Sequence, residues 1–187
     1  MIATPSCRAR WIGIAFGLVL VCSARATSVP RISFEELTDQ SEVIASGQVT
    51  RSWSDWDSTH KYIWTHYELS VSNTYKGQSG RSVVISEPGG VVGNIGMQIA
   101  GTVVYQPGDK VLVFLQRMPN GYLRTTGWGQ GQYRVDASGI VHASESLRQE
   151  NLLAAGGPGS SLTSLEGTSV SELVRRVTAR VQSRRVQ

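Results

Sequence analysis

Between Val43 and Ala143 the chain reads as a run of short strands with no long amphipathic helix between them. The stretch from Tyr62 to Asn73 alternates most clearly. Ile63, Thr65, Tyr67, Leu69 and Val71 share one face, and Tyr62, Trp64, His66, Glu68 and Ser70 share the other, a period of two. Val43 to Trp53 carries small or apolar residues at Val43, Ala45, Gly47 and Val49 with the same period. Arg81–Ser86 and Lys110–Gln116 are apolar or β-branched runs, and the second is expected to be buried on both faces as a strand. Tyr122–Thr126, Gln132–Val135 and Ile140–Ala143 are shorter candidates. Turn chemistry separates them at Pro107-Gly108, Pro119-Asn120-Gly121 and Asp136-Ala137-Ser138-Gly139. About seven strands at such spacing predict a mainly β fold, a small antiparallel barrel or sandwich, rather than a βαβ sheet.

The ends frame this core. Arg8 and Arg10 precede an uncharged run from Trp11 to Cys22, and Ser23-Ala24-Arg25-Ala26 supplies an A-x-A site. That order is a signal peptide over residues 1–26 with cleavage between Ala26 and Thr27, which implies export to the periplasm or beyond. The apolar run is shorter than the ~20 residues a membrane span needs, so no transmembrane helix is expected in the mature chain. Both cysteines, Cys7 and Cys22, fall inside the signal, which leaves a cysteine-free mature chain held by an ordinary hydrophobic core. Three of the arginines leave with the signal. The remaining 15 basic and 14 acidic side chains give +1, so the overall +4 argues for no nucleic-acid partner.

Ser33-Phe34-Glu35-Glu36 is a capping box opening a short helix over about 34–41, with Phe34 and Leu37 toward the core. A single β domain is expected over 27–155. A Gly/Ser-rich linker follows over 156–168, with the composition of a flexible tether. A second capping box, Ser169-Val170-Ser171-Glu172, starts a basic C-terminal helix and tail over 169–187. Its apolar stripe is Val170, Leu173, Val174, Val177 and Val181. Its five arginines, from Arg175 onward, either meet an anionic surface or form a solvated face.

Chemistry-bearing groups are sparse. His60 and His66 lie about 20 Å apart on an extended strand, too far to share an ion. Asp55, Asp57 and His60 read as a solvated polar loop before that strand. No zinc-type ligand spacing, nucleophile elbow or Walker lysine is present, so neither a metal, a cofactor nor a catalytic residue is nominated. A hydrolase would have to assemble in the fold, with His66 or His142 beside a serine or carboxylate. Gly89, Gly90, Gly93, Asn94 and Gly96 form a glycine-rich inter-strand loop, a candidate for recognition rather than phosphate binding. Trp53, Trp56, Tyr62, Trp64 and His66 are the candidate ligand-binding set, since strand-face aromatics form stacking platforms. Trp128, flanked by Gly127 and Gly129, reads as a packing residue beside bulge glycines.

The run Val43-Ile44-Ala45-Ser46-Gly47-Gln48-Val49, then Trp53, Trp56, Tyr62-Ile63-Trp64-Thr65 and Tyr75-Lys76-Gly77, resembles a family of uncharacterised secreted bacterial proteins. Pro88-Gly89-Gly90, Gly93, Gly96, Gly101 and Pro107-Gly108-Asp109-Lys110-Val111-Leu112-Val113-Phe114-Leu115 extend the likeness over about residues 43–135. More distantly, the strand order is similar to netrin/TIMP-type OB barrels. The resemblance implies an OB-like barrel and an export route, and it assigns no catalytic residue. The metalloprotease inhibitors of that type use an N-terminal cysteine, which this chain lacks after Ala26. Three function classes stay open: a non-enzymatic module binding an extracytoplasmic protein, a module binding a glycan or cell-envelope polymer, and a hydrolase or protease inhibitor.

Overall fold

In a computed structural model of the chain, residues 32–144 and 165–185 are described. The expected signal segment, its Ala26–Thr27 cleavage site, both cysteines and most of the expected linker lie outside the described residues. Helix α1 (Phe34–Gln40) opens as its sequence predicts. Ser33 Oγ accepts from the Glu36 N–H at 3.1 Å, and the Glu36 carboxylate accepts from the Ser33 N–H at 2.9 Å.

Among the described residues nine strands follow: β1 (Val43–Trp56), β2 (Ile63–Lys76), β3 (Ser82–Pro88), β4 (Gly90–Val92), β5 (Ile95–Met97), β6 (Lys110–Arg117), β7 (Leu123–Thr125), β8 (Gln132–Val135) and β9 (Val141–Ala143). Helix α2 (Val170–Arg185) closes the described chain, and Ser169 Oγ caps it by accepting from the Glu172 N–H. The main sheet has the order β1-β2-β3-β7-β6-β8-β9, and β6 pairs with β1 as well. The first five strands therefore close into an OB-like ring, with β8 and β9 extending the sheet beyond it. Among the described residues, no helix is long and apolar enough to cross a membrane.

The ring has one parallel seam, β3 against β7, and its ladder is a single pair, Ile85↔Leu123. Glu87 completes it with a side chain. Its carboxylate accepts from the Thr125 backbone N–H at 2.7 Å and from Arg124 Nε and Nη2 at 3.3 and 3.2 Å. Glu87 is fully buried. Burial pushes its carboxyl above the usual carboxylate range, against the pull of Arg124 and the Thr125 N–H.

Strand β6 is buried on both faces, as its unbroken apolar run predicts. Val111, Val113 and Leu115 point into the barrel beside Val43, Ala45, Leu69, Ile85 and Tyr105. Leu112 and Phe114 point the other way, under α1 and α2, where they meet Phe34, Leu37, Tyr133, Leu173 and Val177. The C-terminal helix is thus part of a second core rather than a free arm. Four of its arginines are engaged too. Arg180 grips the Asp39 carboxylate at 2.6 and 3.1 Å, Arg184 joins at 3.1 Å, Arg176 lies over the Phe34 ring, and Arg175 pairs with Glu172. Leu165, the first residue described after the gap, is fully buried in this core.

One sequence expectation is corrected here. Residues 89–96 are not a plain glycine-rich loop: they fold into the β4–β5 hairpin, with pairs from Gly90↔Met97 to Val92↔Ile95. Gly89 and Gly90 take φ of +106° and +137°, which lets the chain turn sharply out of β3. A Cβ on Gly90 would collide with Thr65 Oγ1 and Ser54 Oγ, so the hairpin lies close over β1 and β2.

Candidate functional site

A single extra residue in β1 builds the site. Up to Val49, which pairs with Leu69, the odd-numbered residues of β1 face the barrel interior. The register then shifts between Val49 and Arg51, so Arg51 pairs with Glu68, Trp53 with His66 and Asp55 with Trp64. Thr50 is the bulged residue, and its Oγ1 donates to the Glu68 carbonyl at 3.1 Å. Because the side-chain period is two, one inserted residue exchanges the faces. Arg51, Trp53 and Asp55 therefore project outward, on the same face as Trp64, His66 and Glu68.

The row Trp53–His66–Ser86 then crosses three strands, since His66 pairs with Ser86 on β3. His66 is held at both ring nitrogens: Nδ1 lies 2.8 Å from Ser86 Oγ, and Nε2 lies 2.9 Å from Asp55 Oδ1. An ionised carboxylate only accepts, so Nε2 carries the proton toward Asp55. In the neutral ring Nδ1 then accepts from the Ser86 hydroxyl. Trp53 stacks on the imidazole with 5.3 Å between centroids and 28° between planes. Tyr122, at the threshold of β7, sets its ring nearly perpendicular to both His66 and Trp64, at 5.4 and 5.1 Å. The consequence is an aromatic wall. His66 and Ser86 are 6% and 2% exposed beneath it, while the Asp55 side chain remains 55% exposed at its rim. Arg51 lies over the Trp53 ring at 4.7 Å and pairs with Glu68 at 2.6 Å, so its charge is already matched.

The predicted ligand-binding set is only partly brought together. Trp53, Trp64 and His66 converge. Trp56 does not, because the bulge places it on the opposite parity from Trp53, and it stacks on His60 with a centroid separation of 6.3 Å. Tyr62 precedes β2 rather than lying in it and is 55% exposed in the β1–β2 loop. That loop is organised by Asp57, whose carboxylate accepts from Lys61 N, Tyr62 N and Thr59 Oγ1. Desolvation is the largest single influence on the Asp57 carboxyl and pushes it up, but these bonds together outweigh it and hold the group below the usual carboxylate range. His60 takes φ +55° at the loop's corner. The recognition-loop residues Gly93, Asn94 and Gly96 lie exposed at the hairpin tip, with Val91 and Ile95 exposed beside them.

Two further features stand apart. Trp128 sits in a 3-10 turn (Trp128–Gly131) with φ +59°, under the Arg124 guanidinium at 4.5 Å. It lines a cavity of about 200 Å³ with Ile32, Gln40, Gln116, Arg124, Thr125 and Gly127. His142 bridges Asp136 Oδ2 at 3.0 Å and Glu166 Oε1 at 3.1 Å, and these two carboxylates hold its pKa above the ordinary histidine value.

Sequence reading missed Asp55 as a partner of His66, and it missed Ser86 and Tyr122 altogether. Only the shared parity of Trp64, His66 and Glu68 pointed to this face; the bulge that delivers Asp55, and the fold that delivers Ser86 and Tyr122, leave no local signature. No protein-family model matches the chain, and no curated protein matches it.

Proposed function

We propose that this protein is an exported, glycan-binding module that holds an extended sugar polymer of the cell envelope across the outer face of β1, β2 and β3. The observation that carries the reading is the convergence of Trp53, Trp64 and Tyr122 on one sheet face beside the exposed carboxylate of Asp55. Aromatic rings offer flat apolar surface to the C–H face of a sugar, and a rim carboxylate accepts its hydroxyl protons. The location supports it as well. OB-like barrels present ligands to this face and to the loops after the first and fourth barrel strands. Here those loops carry Tyr62 and Tyr122.

Charge favours a neutral polyhydroxy ligand over a nucleic acid. Single-stranded nucleic acids need a positive groove beside the stacking rings. On this face Arg51 is balanced by Glu68, and Asp55 adds negative charge. The export signature in the sequence, basic residues then an apolar run then A-x-A, supports a location among envelope polymers.

The test is tryptophan fluorescence during titration with a panel of cell-envelope glycans. A saturable change is expected for at least one polymer, and Trp64→Ala should weaken it about tenfold, the equivalent of 1.4 kcal/mol. Trp128→Phe, outside the face, should leave affinity unchanged. A flat response across the panel would refute the reading.

A further inference from the structure

The hydrogen-bonded chain Asp55–His66–Ser86 goes beyond what a binding wall requires. We propose that Ser86 is a nucleophile, activated by His66 and oriented through Asp55, which hydrolyses small acyl esters. The three groups have the geometry that marks an activated serine: a hydroxyl within hydrogen-bond reach of a base, and that base held by a third, acidic group. Asp55 fixes the tautomer that leaves the Nδ1 lone pair facing the Ser86 hydroxyl. In the serine-hydrolase template the two ring nitrogens take the opposite assignments. A neutral imidazole offers one N–H and one lone pair either way, so the proton can be drawn from Oγ through Nδ1.

The reaction balances with water as the only co-reactant. Oγ attacks the ester carbonyl carbon, and its proton passes to Nδ1. Collapse of the tetrahedral adduct breaks the C–O bond, and the departing alcohol takes that proton. Water then attacks the acyl-serine and gives its proton to Nδ1. Expulsion of the acid returns a proton to Ser86 Oγ.

Ser86 is 2% exposed, so a substrate reaches it only after a neighbouring side chain moves. Within this proposal that part falls to Tyr122, which packs on the His66 ring beside the serine. Its ring meets Trp64 and His66 through edge contacts, and its hydroxyl has no hydrogen-bond partner among the described residues. It directly follows Gly121, at φ +85° in the Pro119–Gly121 turn. Moving this ring breaks no strand pair, because Tyr122 precedes β7.

The experiment is covalent labelling with a fluorophosphonate probe, read by mass spectrometry. In that reaction Oγ bonds to phosphorus, the P–F bond breaks, and the serine proton leaves with fluoride. It needs the nucleophile and its base but no turnover, and it does not depend on any glycan, so its outcome is separable from that of the binding reading. An adduct on Ser86 is expected, faster in Tyr122→Ala and absent in Ser86→Ala. His66→Gln and the rim substitution Asp55→Asn should each slow labelling at least tenfold, within the range general-base removal produces. Circular dichroism of each variant shows that the fold is kept. Failure to label Ser86 in both the wild type and Tyr122→Ala would overturn the proposal, as would a labelling rate unchanged by His66→Gln.

Discussion

Glu87→Ala should be strongly destabilising, and its cost follows from the seam. The carboxylate is fully buried and satisfies two groups at once, the Thr125 N–H and the Arg124 guanidinium. Alanine removes all three hydrogen bonds. Arg124, whose side chain is only 12% exposed, is left without its counter-ion, and removing one member of a buried pair costs about 3–5 kcal/mol. At about 0.25–0.5 kcal/mol per degree for a chain of this size, the midpoint should fall by about 6–20 °C. Glu87→Gln keeps an acceptor for Thr125 and should cost less. It should also change the pH response, in a direction fixed by the raised carboxyl. A carboxyl whose folded pKa lies above its unfolded value contributes most below the unfolded value, about 4.5, and loses that contribution as pH rises through the folded one. Wild type should therefore lose stability relative to Glu87→Gln as pH climbs out of the acid range. Urea unfolding of the three proteins from pH 4 to 8 measures this. A Glu87→Ala protein within about 1 kcal/mol of wild type would refute the seam as described.

Two other outcomes are expected. His142 has a raised pKa and two carboxylate partners, so its clamp is complete below the unfolded histidine value of about 6.5 and is lost as pH rises through the folded one. Thermal midpoints of wild type and His142→Gln should converge between pH 6 and 9, and parallel curves would contradict the clamp. Deleting Thr50 removes the bulge and should turn Trp53 inward or force β1 out of register. Either way, Trp53 emission loses its contact with His66 and glycan response falls, whereas unchanged fluorescence would show that the bulge does not set the face.

The elements that sequence predicts well are those written in local periodicity. Alternation in β2, the unbroken apolar run of β6 and the Ser33–Glu36 box each carry their structure in neighbouring residues. The site is different because it is assembled by register. Thr50, Arg51 and Ser52 are all polar, so nothing in them says which face each takes, and the even-spaced pattern of Val43 to Val49 extrapolates Trp53 to the wrong side. Ser86 is one serine among many until β3 is laid beside β2. Tyr122 becomes relevant only when β7 closes the ring. The arginines of α2 misdirect for a related reason: Asp39, which pairs with two of them, is distant in sequence.

Strand β9 has a consequence for solubility. It is the last strand of the main sheet and has only three residues, and an open strand edge invites pairing with another chain. This edge is occupied from within. Val141 donates to the Thr168 carbonyl, Gly167 donates to the Val141 carbonyl, Ala143 N donates to the Glu166 carboxylate, and Ile140 bridges Ser169. The residues leading into α2 thus act as a selvedge, and α2 itself covers Leu112 and Phe114 below. A chain cut short after Ser144 would bare a strand edge and an apolar floor together, and self-association, rather than simple loss of a helix, is the expected result.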